Sequence, residues 1–270
     1  MLMCLPRLLV FAFVGLVLST TPSVSHEFWI EPQKFQVDSG APVIANLRNG
    51  QNFSGFDLVY FEKRTRSFEF MQSGQVEPYE GRMGDLPAFV HDGFNIGLLI
   101  ITHETAPETV LYEDFKAFEE FAIHKGFANI RVRHESREFS ESGFAEMYTR
   151  HAKTLISIGH GAGTDIFHGM ETEFVALANP YTDDLTRGFP VKLVYNSTLR
   201  AEAQIEVFER NPKGEVTVSM LQTDTSGQVL IPVKPGHNYL LDAVVLRPAA
   251  AGQEWVWETL WASLTFATPN

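Results

Sequence analysis

Four runs near the C-terminus decide the fold class: Val216-Thr-Val-Ser-Met-Leu-Gln222, Gln228-Val-Leu-Ile-Pro232, Tyr239-Leu-Leu-Asp-Ala-Val-Val-Leu-Arg247 and Trp257-Glu-Thr-Leu-Trp-Ala-Ser-Leu-Thr-Phe266. They are short, rich in β-branched and aromatic residues, and bounded by turn residues, which is how strands read. The turns sit at Asn211-Pro212-Lys213-Gly214, Asp224-Thr225-Ser226-Gly227 and Lys234-Pro235-Gly236. With Pro190–Tyr195 and Ala203–Arg210 ahead of them, the runs describe an all-β unit of about seven strands over residues 188–270, Ig-like or transthyretin-like. Trp261 has the opposite parity to Ala262, Leu264 and Phe266, so both faces of the last strand are expected to be covered.

Upstream, Asn179-Pro180-Tyr181-Thr182-Asp183-Asp184 reads as a linker. Before it, Phe28–Glu31, Pro42–Arg48, Asp57–Lys63, Ser67–Met71, Val76–Arg82, Asn95–His103 and Glu171–Leu177 read as strands of a second sandwich over residues 26–180. Two stretches interrupt it with a helical period. Phe115, Phe118 and Phe121/Ala122 lie on one face of Tyr112–Lys125, which closes at Gly126. Phe144, Tyr148, His151, Leu155 and Ile158 form a stripe along Ser142–Ile158. The expectation is a mainly β chain: two β-sandwich domains, with a helical segment over 112–158 inserted after the first.

Residues 1–25 read as a secretory signal peptide: Arg7, the apolar run Leu8–Leu18, and a small-x-small site at Ser23-Val24-Ser25. The apolar run is too short to span a bilayer. Cleavage after Ser25 makes His26 the first residue, whose α-amine and ring Nδ1 can close a chelate ring on one ion. Cleavage after Ser23 places histidine third, where amine, backbone amides and imidazole suit square-planar Cu(II) or Ni(II).

Composition narrows the chemistry. The single cysteine, Cys4, lies in the leader, so disulfides, thiolate metal sites and cysteine nucleophiles are excluded from the mature chain. A net charge of −12 argues against nucleic acid as a partner. No apolar segment after the leader approaches membrane-spanning length. With 44% hydrophobic residues and 22 phenylalanines the chain can build a core. It carries no Gly-x-Ser-x-Gly elbow, His-Glu-x-x-His helix or P-loop, so it reads as a binding protein rather than an enzyme.

The opening His26-Glu27-Phe28-Trp29-Ile30-Glu31-Pro32 resembles that of a known family, as do Tyr112…Phe115…Phe118, Tyr148–Leu155, Glu173–Pro180 and Trp257–Phe266. Its members are exported proteins of unassigned function, often labelled as periplasmic components of nickel or cobalt uptake systems. The resemblance implies a periplasmic protein of nickel or cobalt uptake; with the donor chemistry above, the expectation is a protein that holds nickel, cobalt or copper through the mature N-terminal His26 and serves a membrane metal transporter.

A terminal chelate supplies two ligands, and a stable site wants a third or fourth. If the first strand runs beside the last, its start lies near the turn at His91-Asp92, which makes His91 the leading partner of His26. His103, a strand's length away, is the alternative. His151 is expected in the core, His124 at a helix C-terminus, His160 and His168 beside a glycine-rich loop, and His134 and His237 in exposed polar contexts. Two other readings stand beside metal uptake: a glycan- or protein-binding β-sandwich module, and a copper-dependent oxidative enzyme.

Overall fold

The computed structural model describes residues 26–270; the leader expected over 1–25, with Cys4, lies outside them. The chain begins with β1 (Glu27–Pro32), β2 (Gln36–Val37), β3 (Val43–Gln51), β4 (Ser54–Leu58) and β5 (Thr65–Gln72). β6 (Gln75–Pro78), β7 (Phe89–His91), β8 (Gly97–Thr105) and β9 (Glu108–Tyr112) lead to helices α1 (Phe115–His124) and α2 (Ile130–Glu135). The 15-residue β10 (Phe144–Ile158) comes next. β11 (Thr172–Ala176), β12 (Phe189–Tyr195), β13 (Thr198–Leu199) and β14 (Gln204–Arg210) follow. β15 (Val216–Gln222), β16 (Gln228–Ile231), β17 (Asn238–Pro248) and β18 (Trp257–Ala267) complete the order.

The strands make three layers. A ten-stranded central sheet runs β15-β14-β17-β18-β10-β8-β5-β6, with β2 and β9 also paired to β10. One outer sheet holds β1, β3, β4 and β7, the other β11, β12, β13 and β16. Alternation along β8 shows the sidedness. Leu98 and Ile100 pack with Phe174, Val191 and Leu193, whereas Leu99 and Ile101 pack with Phe28, Ile30 and Leu47. The helices lie on the β1 side of the central sheet. There Phe118 and Phe121 stack on Trp257 and Trp261 of β18, ring centroids 5.9 and 5.6 Å apart. The β-sandwich class is therefore as expected, but the two sandwiches share one sheet. β10 from the first half pairs in parallel with β18 from the second, from Glu146↔Trp257 to Thr154↔Thr265.

The helix expected over 142–158 is instead the strand β10. Its residues satisfy a helical stripe only because nearly all of them are buried: every position from Thr149 to Ile158 is inside. A strand covered on both faces loses its period of two, so spacing cannot separate it from a helix. The helical reading holds for α1, capped where the Asp114 carboxylate accepts from Ala117 N at 3.2 Å.

Burying β10 buries its polar side chains, and most find partners, as burial requires; Thr149 Oγ1 and Arg150 Nε are the buried atoms without one. Lys153 bonds to Asp165 at 3.1 Å and to Glu173. Glu146 accepts from the Tyr112 hydroxyl at 2.9 Å and from Thr259. His151 Nδ1 donates to the Trp261 carbonyl at 3.1 Å. Trp261 itself is 2% exposed, and its Nε1 donates to Thr259 Oγ1 at 3.2 Å. Trp261→Ala should destabilise the fold by about 3–5 kcal/mol, read from denaturant unfolding. A loss under about 1 kcal/mol would mean that the ring carries little of the packing.

Stability should also depend on pH in both directions. Burial pushes the Glu146 carboxyl up to about 7, against the opposing bonds from Thr259 and Tyr112, and the Glu27 carboxyl up to about 8. Both hold protons in the folded state that the unfolded chain has released, so stability falls as pH rises from the ordinary carboxylate range through these values. Burial pushes His103 down to about 3 and His151 to about 4. Unfolding lets these rings take up protons, so stability also falls as pH drops below the unfolded histidine value of ~6.5. Thermal unfolding followed across pH should show a maximum between about pH 5 and 6.5. A continuous rise from pH 5 to 9 would contradict this balance.

Candidate binding site at the start of the first strand

β1 is anchored from its first residue. It pairs antiparallel with β3, from Glu27↔Gly50 to Pro32↔Ala45. Phe28, Trp29 and Ile30 are buried, and Thr265 Oγ1 of β18 donates to the Ile30 carbonyl at 2.7 Å. Opposite Glu27, Gly50 is required by close approach, since a Cβ there would overlap the Ser54 carbonyl oxygen. His26, half-buried, directly precedes this pinned strand.

Two environments of opposite charge adjoin it. Glu27 belongs to a buried acidic cluster around one ammonium. Lys125 Nζ lies 2.6 Å from Glu206, 2.9 Å from Asp242 and 4.0 Å from Glu27, and 4.7 Å from the Trp261 ring centre. Glu27 also accepts from Asn52 N at 3.0 Å. Burial, then repulsion from Asp242, raises the Glu27 carboxyl; burial likewise raises Asp242, while its attraction to Lys125 opposes. At the edge of this cluster the exposed His124 places Nε2 2.7 Å from Glu206.

On the other side a cavity of about 510 Å³ opens between β1, β4, β8 and β10. Phe28, Phe56 and Phe61 wall it, and Tyr148 and Arg150 of β10 line it. The Arg150 guanidinium lies 4.4 Å from the Tyr148 ring centre, and its Nη2 makes a long 3.5 Å hydrogen bond to the His26 carbonyl.

His103 lines the same cavity but serves the core. Its ring lies 5.4 Å from Phe28 and 4.9 Å from Phe68, and it is 2% exposed. The Thr65 hydroxyl donates to Phe61 O at 3.2 Å, so it accepts from His103 Nε2 at 3.1 Å. That assigns the proton to Nε2 and leaves Nδ1 as a buried acceptor without a partner. His91 is elsewhere. β1 pairs with β3 rather than beside the last strand, and His91 faces Val43 while Glu27 faces Gly50. Seven positions along β3 separate them, about 23 Å at ~3.3 Å per residue. The structure therefore does not bring His91 to His26.

Among the described residues no group of three or more His, Cys, Asp or Glu side chains is arranged to hold a metal ion. His134, expected in an exposed context, is instead 1% exposed, because its Nδ1 accepts from Trp257 Nε1 at 3.0 Å beneath α2. The sequence reading missed Lys125, Arg150, Glu206 and Asp242. For Glu206 and Asp242 the available signal was a lone charge within an apolar run, Ile205-Glu206-Val207-Phe208 and Leu241-Asp242-Ala243-Val244; Lys125, between His124 and Gly126, and Arg150, between Thr149 and His151, have no such run around them.

Residues 23–247 match the family model described as Domain of unknown function (DUF4198). No curated protein matches the chain. Among solved structures, the D0-D1 domain of Intimin is 13% identical, with a TM-score of 0.19 over 88% of this chain and 97% of that one. A tetra-tandem repeat in the extending region of a large adhesion protein is 11% identical, with a TM-score of 0.20 over 89% and 50% of the two chains. Scores that low carry no argument about this protein. The family match takes in His26, the residues on either side of it and every strand through most of β17, and on that extent the chain belongs to the family Domain of unknown function (DUF4198).

Proposed function

We propose that the mature, exported chain is a periplasmic metal-binding protein that holds nickel, cobalt or copper through the α-amine and imidazole of His26 and serves a membrane uptake system. The observation that carries this reading is the position of His26. It stands immediately before a strand fixed by the β3 ladder and the Thr265 bond, so cleavage after Ser25 leaves every described residue of the fold in place. Two nitrogens of one residue close a chelate ring, and amine and imidazole suit these ions.

The neighbouring charge supports a cation. Glu206 and Asp242 flank a single ammonium, with the proton-holding Glu27 beside them, and two carboxylates against one cation make a locally negative field. His124 is the exposed imidazole on that cluster and the candidate for a further ligand; His91, at the far end of β3, and His103, enclosed by Phe28 and Phe68, are not.

The test compares the chain beginning at His26 with the same chain acetylated at its α-amine, each competing with a chromophoric chelator for Ni(II), Co(II) and Cu(II). Acetylation removes one ligand and should weaken binding by about tenfold or more, while His91→Ala leaves it unchanged. Affinity of the native chain should fall as pH drops, because protons compete for both nitrogens. Equal affinity with and without the acetyl group would overturn the N-terminal site and leave the glycan- or protein-binding sandwich as the reading.

A further inference from the structure

We propose that the cavity beside β1 binds a small organic carboxylate with an aromatic or similarly apolar body, seated on Arg150. This goes beyond the metal reading and does not depend on it.

The cavity has the size of a small-molecule site, about 510 Å³. Phe28, Phe56 and Phe61 supply apolar wall, and Phe56 stands 60% exposed at its lip. The guanidinium at its base is the unusual element. Arg150 is 9% exposed, its Nε is buried without a partner, and among the described residues no carboxylate forms an ion pair with it.

Its acidic neighbours are committed elsewhere. Glu108 pairs with Arg64 at 3.0 Å and accepts from the Tyr148 hydroxyl at 2.7 Å. Glu146 accepts from Tyr112 and Thr259. A buried cation without a counter-ion is costly, and stacking on Tyr148 offsets only part of that cost. The other buried cations of the fold, Lys125 and Lys153, each carry two or more carboxylates. Arg150 alone among these three keeps its charge facing a cavity, and a planar guanidinium matches a carboxylate with two parallel bonds. The aromatic wall selects an organic anion over inorganic phosphate or sulfate, which have no apolar surface to bury.

Calorimetric titration tests this on the α-acetylated chain in the presence of EDTA, so that loss of the metal site and loss of this site are separate results. The probes are phenylacetate, phenylacetamide, acetate and sulfate. Phenylacetate should bind, with the other three weaker by about tenfold or more. Phe56→Ala should weaken phenylacetate several-fold with an unchanged melting temperature, because the ring is exposed. Arg150→Lys keeps the charge but loses the fork, and should weaken it by about tenfold. Phenylacetamide binding as well as phenylacetate would overturn the role of Arg150. Sulfate binding as well as phenylacetate would reduce the site to a simple anion contact. No phenylacetate binding, or full affinity in Phe56→Ala, would overturn the proposal outright.

Discussion

β10 runs through the middle of the protein with a strand on each side and a layer over each face, and that placement constrains nearly everything else. Its parallel pairing with β18 joins the two halves of the chain. Because it has no solvent face, its charged residues are met inside, except for Arg150, which no described carboxylate pairs. Lys153 meets Asp165 and Glu173 toward one outer sheet, and Glu146 meets Tyr112 and Thr259 beneath the helices. Such groups add little net stability over apolar packing, but breaking one leaves a buried charge and is expensive. They tie the turns and loops that supply their partners to the register of one strand.

The same strand shapes the region at His26. Tyr148 and Arg150 lie on the face of β10 turned toward β1, while Ala152 and Ile156, on that same face, pack against the first outer sheet. β1 thus has an arginine-lined cavity on one side and, through Glu27, a carboxylate cluster on the other. Opposite fields a few residues apart suit ligands of opposite sign: a cation at the acidic side and an anion over Arg150. The acidic cluster is assembled from parts distant in the chain, Glu27 in β1, Lys125 at the end of α1, Glu206 in β14 and Asp242 in β17.

Much was legible in the order of residues. Strand runs broken by glycine, proline, asparagine and aspartate defined β12 and β14 to β18, because turn chemistry and β-branched enrichment act locally. The period of Phe115, Phe118 and Phe121 marked α1 for the same reason. The parity of Trp261 against Leu264 and Phe266 showed that the last strand is covered twice, as it is by the helices on one face and the second outer sheet on the other.

Tertiary structure alone decided the rest. Whether 142–158 is helix or strand depended on what covers it, and a segment buried all round carries no periodicity to read. Which histidine lies near His26 depended on pairing: β1 joins β3, which sends His91 to the far end and sets His103 behind Phe28. Glu206 and Asp242 stand singly in apolar runs and Lys125 and Arg150 in mixed ones, and a lone charge does not announce its partners. Local sequence determines where the chain turns and which way side chains alternate. Only the closing of long-range contacts determines which distant charges meet, because that depends on sheet order, which no short window of sequence contains.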